Sequence, residues 1–177
     1  MCATTLKDPR VALSHAAYHS VATPQSMLHP EPCPLCFGPS ADCCPYLMKT
    51  SSGTLLQPRV LCLKWAPTAS VADPERGVSF QAASLAKSTK AHPSTNRPIV
   101  CPMCHPELAE DAHKKPPATR SSKRKTKIRP AVWSYNMRAH WNRAHHSSVM
   151  PDGLSKAIQL AEAESRMLLS NRGGPVS

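Results

Sequence analysis

The chain is poor in the residues that build a large apolar core. Its 177 residues include three tryptophans, three tyrosines and two phenylalanines, against 19 prolines. Prolines interrupt helices and strands, and few aromatic rings leave little area to bury, so the composition argues against a single large hydrophobic core. Any folded structure in this chain must therefore be stabilised by something other than a large hydrophobic core.

Other absences exclude whole classes of protein. No apolar run approaches the roughly 20 residues of a membrane-spanning helix, and the N-terminal segment is too polar for the apolar part of a signal peptide. We therefore expect an intracellular protein with no membrane partner. Only six glycines are present, and the sequence has no phosphate-cradling glycine loop, carboxylate pair or nucleophile constellation, so we expect no enzyme.

What the chain does contain is cysteine, eight residues in all. In a reducing compartment, C-x2-C pairs indicate zinc ligands rather than disulfides. Cys101 and Cys104 form such a pair, and His140 and His145 follow at H-x4-H spacing. Two thiolates can hold one ion from a tight turn, and two imidazoles at this spacing share one helix face. These four residues predict a two-cysteine, two-histidine zinc finger, with His146 as the alternative fourth ligand.

The predicted finger is split by an insert. Thirty-five residues separate Cys104 from His140, where a standard finger has about twelve. We assign residues 105–129 to the insert, because Lys114–Arg129 carries eight cations and no acidic residue. Such a segment cannot bury a core and is expected to be a disordered basic loop. Closing the longer loop costs about 1 kcal/mol, far less than the apparent 10–16 kcal/mol of structural zinc binding, so the finger tolerates it.

A second cysteine cluster lies upstream of the finger. The sequence predicts a four-cysteine zinc site at Cys33, Cys36, Cys44 and Cys62. Cys43 in place of Cys44, and His92 as a replacement ligand, stay open. The alternative is that the cysteines after Cys36 are small buried hydrophobes. One zinc ion is expected at the finger, and a second at this cluster.

Few regular elements are predicted outside the finger. Thr54–Trp65 has the character of a short strand, which Pro58 places at the edge of a sheet. The finger helix is predicted from Tyr135 to about His146, with Ser134 as its N-cap. Residues 152–170 predict one amphipathic C-terminal helix that packs on the protein itself.

The predicted fold is a small α+β domain stabilised by zinc, with short strands, one finger helix and a C-terminal helix. A short strand is expected near Val78–Phe80, and the histidines outside the finger spacing, including His15 and His19, are expected to be solvated. The predicted order is a disordered tail, the cysteine-rich cluster, a linker, the split finger, the C-terminal helix and a second tail. These segments span residues 1–27, 28–65, 66–98, 99–148, 152–170 and 171–177.

The motifs resemble a group of uncharacterised zinc-finger proteins of mushroom-forming (basidiomycete-type) fungi. In that group a cysteine cluster precedes a finger with C-P-x-C, W-x-Y-N and H-x4-H motifs. The similarity covers about Pro32–His146, and rests on CPLC, CPYLMK, CLKW, IVCPMC and PAVWSYNMRAHWNRAHH. The resemblance implies a zinc-binding, DNA-binding domain, with descent from a mobile element as one origin. This chain departs from the pattern in its basic insert and in His92, where a cysteine is expected.

Positive charge concentrates on the finger and its insert. Residues 101–150 carry ten cations and three anions, whereas residues 1–100 carry nine and five and residues 151–177 three and three. This distribution favours a polyanion, because each neutralised phosphate releases condensed counterions. We expect a zinc-dependent protein of the nucleus that binds DNA rather than RNA. The residues predicted to contact nucleic acid are Lys123, Arg124, Lys125, Lys127, Arg129, Asn136, Arg138, Asn142 and Arg143.

Two other functions compete with DNA binding. In the first, zinc only folds a scaffold, and the C-terminal helix or the upstream cluster binds a protein partner or a second copy. In the second, His140, Asn142 and His145 form a nuclease site of the histidine-asparagine-histidine kind. A catalytic metal needs an open coordination position, whereas both histidines already belong to a closed four-ligand set. The nuclease is therefore the weaker alternative.

Overall fold

A computed structural model describes residues 7–22, 33–36, 43–49, 56–70, 72–106 and 128–170. Within these ranges the fold is small α+β, as predicted, and its sheets are antiparallel. The helices are α1 (Pro9–Ala22), α2 (Ala82–Ala86), α3 (Met137–Ala144), α4 (Asp152–Ala157) and α5 (Glu162–Ser170). The strands are β1 (Pro45–Lys49), β2 (Leu56–Val60), β3 (Val78–Ser79), β4 (Pro98–Ile99), β5 (Ile128–Pro130) and β6 (Val132–Trp133). None of the described helices has the length and apolar character needed to cross a membrane.

The larger sheet has four strands in the order β3-β2-β1-β5. Along β1, burial alternates with the period of two that a pleated strand imposes, and Tyr46 and Met48 face inward. β5 comes from the far side of the basic insert and pairs with β1, with Met48 opposite Ile128. The end of the predicted insert at residue 129 is therefore wrong, since its last residues form a strand of this sheet.

Pro58 lies inside the sheet rather than on an edge strand, because β2 has β1 on one side and β3 on the other. The Pro58 carbonyl accepts a hydrogen bond from the Phe80 N–H at 2.9 Å, so the proline nitrogen also faces the β3 side. β3 pairs only with Arg59 and Val60. The missing N–H of Pro58 therefore removes no hydrogen bond between β1 and β2.

The smaller sheet pairs β4 with β6 and, with α3, builds the finger. Only Ala131 separates β5 from β6, and its N–H donates to the Pro45 carbonyl at 3.2 Å. Trp133 of β6 lies in the core of the upstream cluster, where its ring meets Phe80 edge-on with centroids 6.3 Å apart. Through Trp133 the finger therefore contributes to the core around the upstream cysteines, which we call the shared core, whereas Cys101, Met137 and Trp141 form a second core within the finger.

Residues 66–98 are not the linker that the sequence predicted. They contain a 3-10 turn at Pro74–Arg76, the predicted strand near Val78 (β3) and helix α2. Phe80 and Leu85 from this segment are buried in the shared core. The sequence of this segment indicates a linker because its apolar residues are few and widely spaced, and their burial depends on distant elements.

The expectation of a disordered N-terminal tail is corrected by α1. The Asp8 carboxylate accepts the Arg10 N–H at 2.7 Å, and Pro9 occupies the first helical position. Asp-Pro at a helix start is a recognised capping signal that the sequence reading missed. Leu13 is fully buried, and the unbroken run of buried residues from Ala12 to Ala17, which includes Ser14 and His15, covers all sides of the helix. Burial by surrounding elements, rather than amphipathicity, stabilises this helix.

The predicted C-terminal helix is two helices, α4 and α5. Leu154 and Ile158 pack against the core of the finger, whereas Glu164 and Leu168 are buried and α5 packs on α1. On one straight helix Ile158 and Glu164 would point about 120° apart. The break between the two helices lets each one pack on a different partner. The sequence predicted that this segment packs on the protein itself, and both helices do so, α4 on the finger and α5 on α1.

Glu164 is a buried carboxylate that ties α5 to the finger. It accepts the Thr95 N–H at 2.8 Å and the Tyr135 hydroxyl, and the Thr95 hydroxyl lies 2.7 Å from both carboxylate oxygens. Burial, and then the hydrogen bond to Glu164, raise the pKa of Tyr135. This network joins three parts of the chain that are far apart in sequence.

We predict that Glu164→Ala lowers the free energy of unfolding by about 1–3 kcal/mol, because the buried donors of Thr95 and Tyr135 lose their acceptor. Denaturant unfolding with bound metal retained measures the change. The matched control is Glu162→Ala on the same helix. The exposed Glu162 carboxylate pairs with Arg166 at 3.6 Å, and its loss should lower the free energy of unfolding by less than about 1 kcal/mol. Equal effects of the two changes would contradict a structural role for the network.

Candidate metal centres

Four side chains converge at the finger and form what we call the finger centre: Cys101, Cys104, His140 and His145. Their ligand atoms all lie within 4.8 Å of one another. The Cys104 Sγ is 3.4 Å from Nε2 of His140 and 3.2 Å from Nε2 of His145, and the Cys101 Sγ is 3.4 Å from the latter. Around a tetrahedral zinc ion, sulfur and nitrogen ligands stand about 3.6 Å apart. The donor atoms are thus close to the spacing that one ion requires.

The finger centre is positioned by a tight turn and by the end of α3. The two cysteines follow β4, and the His105 N–H closes their turn on the Cys101 carbonyl at 3.0 Å. His145 caps the C-terminus of α3, with its N–H 2.7 Å from the Trp141 carbonyl. Trp141 is buried beside Cys101 and its ring lies against that of His145. His146 is exposed and outside the group, which leaves the H-x4-H pair as the ligands.

A second set of four side chains forms what we call the upstream centre: Cys33, Cys36, Cys43 and Cys62. The sulfur atoms of Cys33 and Cys62 are 4.0 Å apart, and those of Cys36 and Cys43 are 3.6 Å apart. Four thiolates around a tetrahedral zinc ion stand about 3.8 Å from one another. These spacings fit one ion held by four sulfurs.

The pairing of β1 with β2 explains this second convergence. Pro45 lies opposite Val60, and the Leu61 N–H donates to the Cys44 carbonyl at 2.9 Å. The chain entering β1 and the chain leaving β2 therefore run side by side, which places Cys43 near Cys62. The Trp65 indole N–H donates to the Leu35 carbonyl at 2.8 Å and fixes the C-x2-C turn to the segment after Cys62.

The structure corrects the choice of Cys44 as the third ligand. Cys43 is buried in the upstream centre, whereas Cys44 is exposed. Successive side chains in extended backbone point to opposite sides, so only one of the two can face the other three sulfurs. His92 belongs to neither centre, and its backbone N–H donates a hydrogen bond to the Thr89 hydroxyl at 3.1 Å.

Three of the thiols in these centres lie where the charged form is disfavoured: those of Cys33, Cys43 and Cys104. Burial raises the pKa of the Cys33 thiol, raises that of Cys43 to about 12, and also raises that of Cys104. Nearby sulfurs add to the effect, since neighbouring thiolates repel. A bound divalent cation reverses this balance and deprotonates its thiol ligands. Both clusters can therefore hold a metal ion, with proton release on binding.

The predicted nucleic-acid residues are placed only in part. Lys123, Arg124, Lys125 and Lys127 lie outside the described residues. Arg129 is half-buried in β5, and Asn136 is half-buried in the 3-10 turn before α3. Arg138, Asn142 and Arg143 are exposed on α3. The structure thus brings three of the predicted contact residues to the outer surface of the finger helix.

The sequence reading missed the polar segment that covers the start of the finger helix. Ser134 does not cap the helix; its hydroxyl donates to the Asn96 side-chain oxygen and accepts the Arg97 N–H, both at 3.1 Å. The Tyr135 N–H also donates to Asn96, at 3.2 Å. The cluster Ser94-Thr95-Asn96 was a visible signal for such side-chain hydrogen bonding, although its partner could not be read from local sequence.

The ligand assignment predicts different outcomes for two adjacent cysteines. Cys43→Ser should remove one equivalent of bound metal, because serine cannot replace a thiolate ligand at this site. Cys44→Ser, the matched control, should leave the metal content unchanged. Elemental analysis of both variants, purified without added metal, measures the difference. Loss of metal in Cys44→Ser alone would restore the ligand set predicted from sequence.

The two centres should also respond differently to acid. Binding at the upstream centre displaces up to four thiol protons and binding at the finger centre up to two, so metal affinity falls as pH falls, more steeply upstream. The apparent log affinity should change by about four units per pH unit upstream and about two at the finger above pH 7. Chelator competition at several pH values measures both slopes of log affinity against pH. Cys36→Ala disables the upstream centre and so isolates the finger centre, and Cys104→Ala does the reverse. Equal slopes would contradict the two ligand sets.

No protein-family model, curated protein or solved structure matches this chain. Its function must therefore be argued from the two metal centres, the shared core and the distribution of charge.

Proposed function

We propose that the protein is a zinc-dependent nucleic-acid-binding protein that contacts DNA chiefly through its phosphates. The observation that carries the proposal is the finger centre, where two cysteines and two histidines at zinc-ligand spacing hold a helix with exposed arginines. The fungal zinc-finger proteins that the sequence resembles are a second, weaker support. A mobile-element origin and transcription-related work belong to this proposal as well.

The donor chemistry supports zinc as the metal. Thiolate and imidazole ligands suit zinc, whereas magnesium and calcium prefer oxygen ligands. Each centre supplies four protein ligands, which is the closed arrangement of structural rather than catalytic zinc. When bound, zinc would cross-link the turn after β4 to α3 at the finger, and the C-x2-C turn to β1 and β2 upstream. No catalytic role is proposed.

Phosphate contact, rather than base reading, follows from what covers the finger helix. A standard finger reads bases with residues −1, 3 and 6 of its helix. Counted from Ser134, where the 3-10 turn begins, these positions hold Trp133, Asn136 and Ala139. Trp133 is buried in the shared core and Asn136 is half-buried. The helix therefore offers little to a base edge.

The cations of the finger helix and of the insert are suited to contact the phosphates of a duplex. Arg138 and Arg143 are exposed on α3, and the insert that enters after Cys104 supplies the densest run of cations in the chain. Cations of this kind give sequence-independent binding, typically with dissociation constants of about 10⁻⁴–10⁻⁶ M at physiological salt. The basic run also supports nuclear localisation as part of the proposal.

A protein-interaction module is the second candidate, favoured by two exposed apolar side chains at the metal centres. Leu63 follows the ligand Cys62 and is 56 % exposed, and Met103 lies between the finger cysteines and is 50 % exposed. Apolar side chains held on rigid metal-bound turns are suited to contact a partner protein. In this reading the zinc ions only hold the scaffold.

Salt dependence and matched cation variants test the first proposal against the second. We expect the affinity for a duplex of arbitrary sequence, measured by fluorescence anisotropy, to fall steeply between 50 and 200 mM salt. Replacing Lys123, Arg124 and Lys125 by alanine, or Arg138 and Arg143 by alanine, should reduce the salt slope by about one per lost phosphate contact. The control is Lys156→Ala with Arg166→Ala, which removes two exposed cations that belong neither to the finger helix nor to the insert.

Three results would count against the proposal. An unchanged salt slope in both cation variants would show that these residues make no phosphate contacts. Binding that survives complete removal of zinc would show that the folded finger is not required. A preference of more than about tenfold between unrelated duplexes would show base reading, since one mismatched base pair already costs about 1–3 kcal/mol in specific complexes.

A further inference from the structure

Two histidines on α1 stand outside both metal centres and face each other. His15 and His19 are one helical turn apart, and their Nε2 atoms are 3.3 Å from one another. Their rings are nearly perpendicular, with centroids 4.8 Å apart. The sequence reading expected both to be solvated, yet His15 is 5 % exposed. Their arrangement therefore needs a structural account of its own.

The separation of the two nitrogens matches a shared metal ion. Zinc binds imidazole nitrogen at about 2.0–2.1 Å, so two nitrogens on one tetrahedral ion stand about 3.4 Å apart. The same spacing of four residues on a helix places both rings on one face. A direct hydrogen bond between the rings would use the same two atoms, so metal and hydrogen bond are competing uses of this pair.

The surroundings hold the pair in place before any ion arrives. α1 is capped by Asp8 and packs on α5, and Leu13 fixes it in the shared core. The ring of Tyr18 lies edge-on to His19 with centroids 5.1 Å apart. His15 is enclosed while His19 is half-buried, so an ion at the pair would be reached from the His19 side. Preorganised ligands lower the cost of ordering on binding.

We propose that His15 and His19 form a third metal site, which takes a borderline divalent ion such as zinc through their two Nε2 atoms. Imidazole suits zinc, nickel and copper. Because the pair supplies two ligands where each of the other centres supplies four, this site binds metal more weakly and exchanges it more readily. The inference does not depend on nucleic-acid binding.

Zinc titration of the protein already loaded at its two four-ligand centres tests the site. With an indicator dye as competitor, we expect one further zinc ion per chain, and a shift of the His15 and His19 ring resonances in the NMR spectrum on its binding. His19→Gln should lower the affinity for this ion by at least about tenfold, since even loss of a group that only hydrogen-bonds a metal ligand lowers metal affinity 10–100-fold. The matched control His92→Gln, which removes a histidine elsewhere, should leave it unchanged.

His19 is chosen because it is half-buried, and circular dichroism with the metal content of the other centres checks that the variant is folded. His15→Gln, at the more buried position, provides a second variant. Absence of a third ion in the wild type would overturn the proposal. So would a third ion that binds His19→Gln as tightly as wild type, or one whose binding shifts neither ring.

Discussion

The structure is organised by the convergence of cysteine and histidine side chains into two clusters that could each hold a metal ion. Burial raises the pKa of Cys33 and Cys43, so without a cation these positions favour neutral thiols, which pack in the core but do not cross-link the chain. A cation turns the same positions into a cross-link between segments far apart in sequence. Structural zinc contributes an apparent 10–16 kcal/mol in small fingers, which exceeds the net stability of many whole domains. For a chain this poor in aromatic residues, a metal ion at each cluster would be a large source of stability.

Metal binding and hydrophobic packing are coupled at Trp133. Its side chain lies in the same core as Cys33, Cys43 and Cys62, while its backbone pairs with β4 of the finger. The packing around the upstream centre therefore also positions a strand of the finger. The two centres are joined by packed structure rather than by a linker, and residues 66–98 contribute Phe80 and Leu85 to it.

The parts of the fold that were predictable from sequence are those set by local spacing. C-x2-C and H-x4-H fix ligand geometry within one turn, so the sequence alone predicts the group of Cys101, Cys104, His140 and His145. The choice between Cys43 and Cys44 depends on which side of an extended strand faces a turn distant in sequence, and no local pattern decides it. The burial of α1, the inner position of Pro58 and the break before α5 likewise follow from contacts between remote segments. Their apolar patterns are too weak to reveal those contacts.

The covering of the finger helix limits what this finger can recognise. Asn96 and Glu164 occupy the hydrogen-bonding groups at Ser134 and Tyr135, and Trp133 is committed to the core. Exposing these groups to a DNA groove would break a buried network whose unsatisfied donors cost about 1–3 kcal/mol each. That cost is comparable to what one well-paired base contact contributes to discrimination. Rearrangement of the helix start for base reading therefore gains nothing, whereas arginines on the outer face of α3 can contact phosphates without moving the fold.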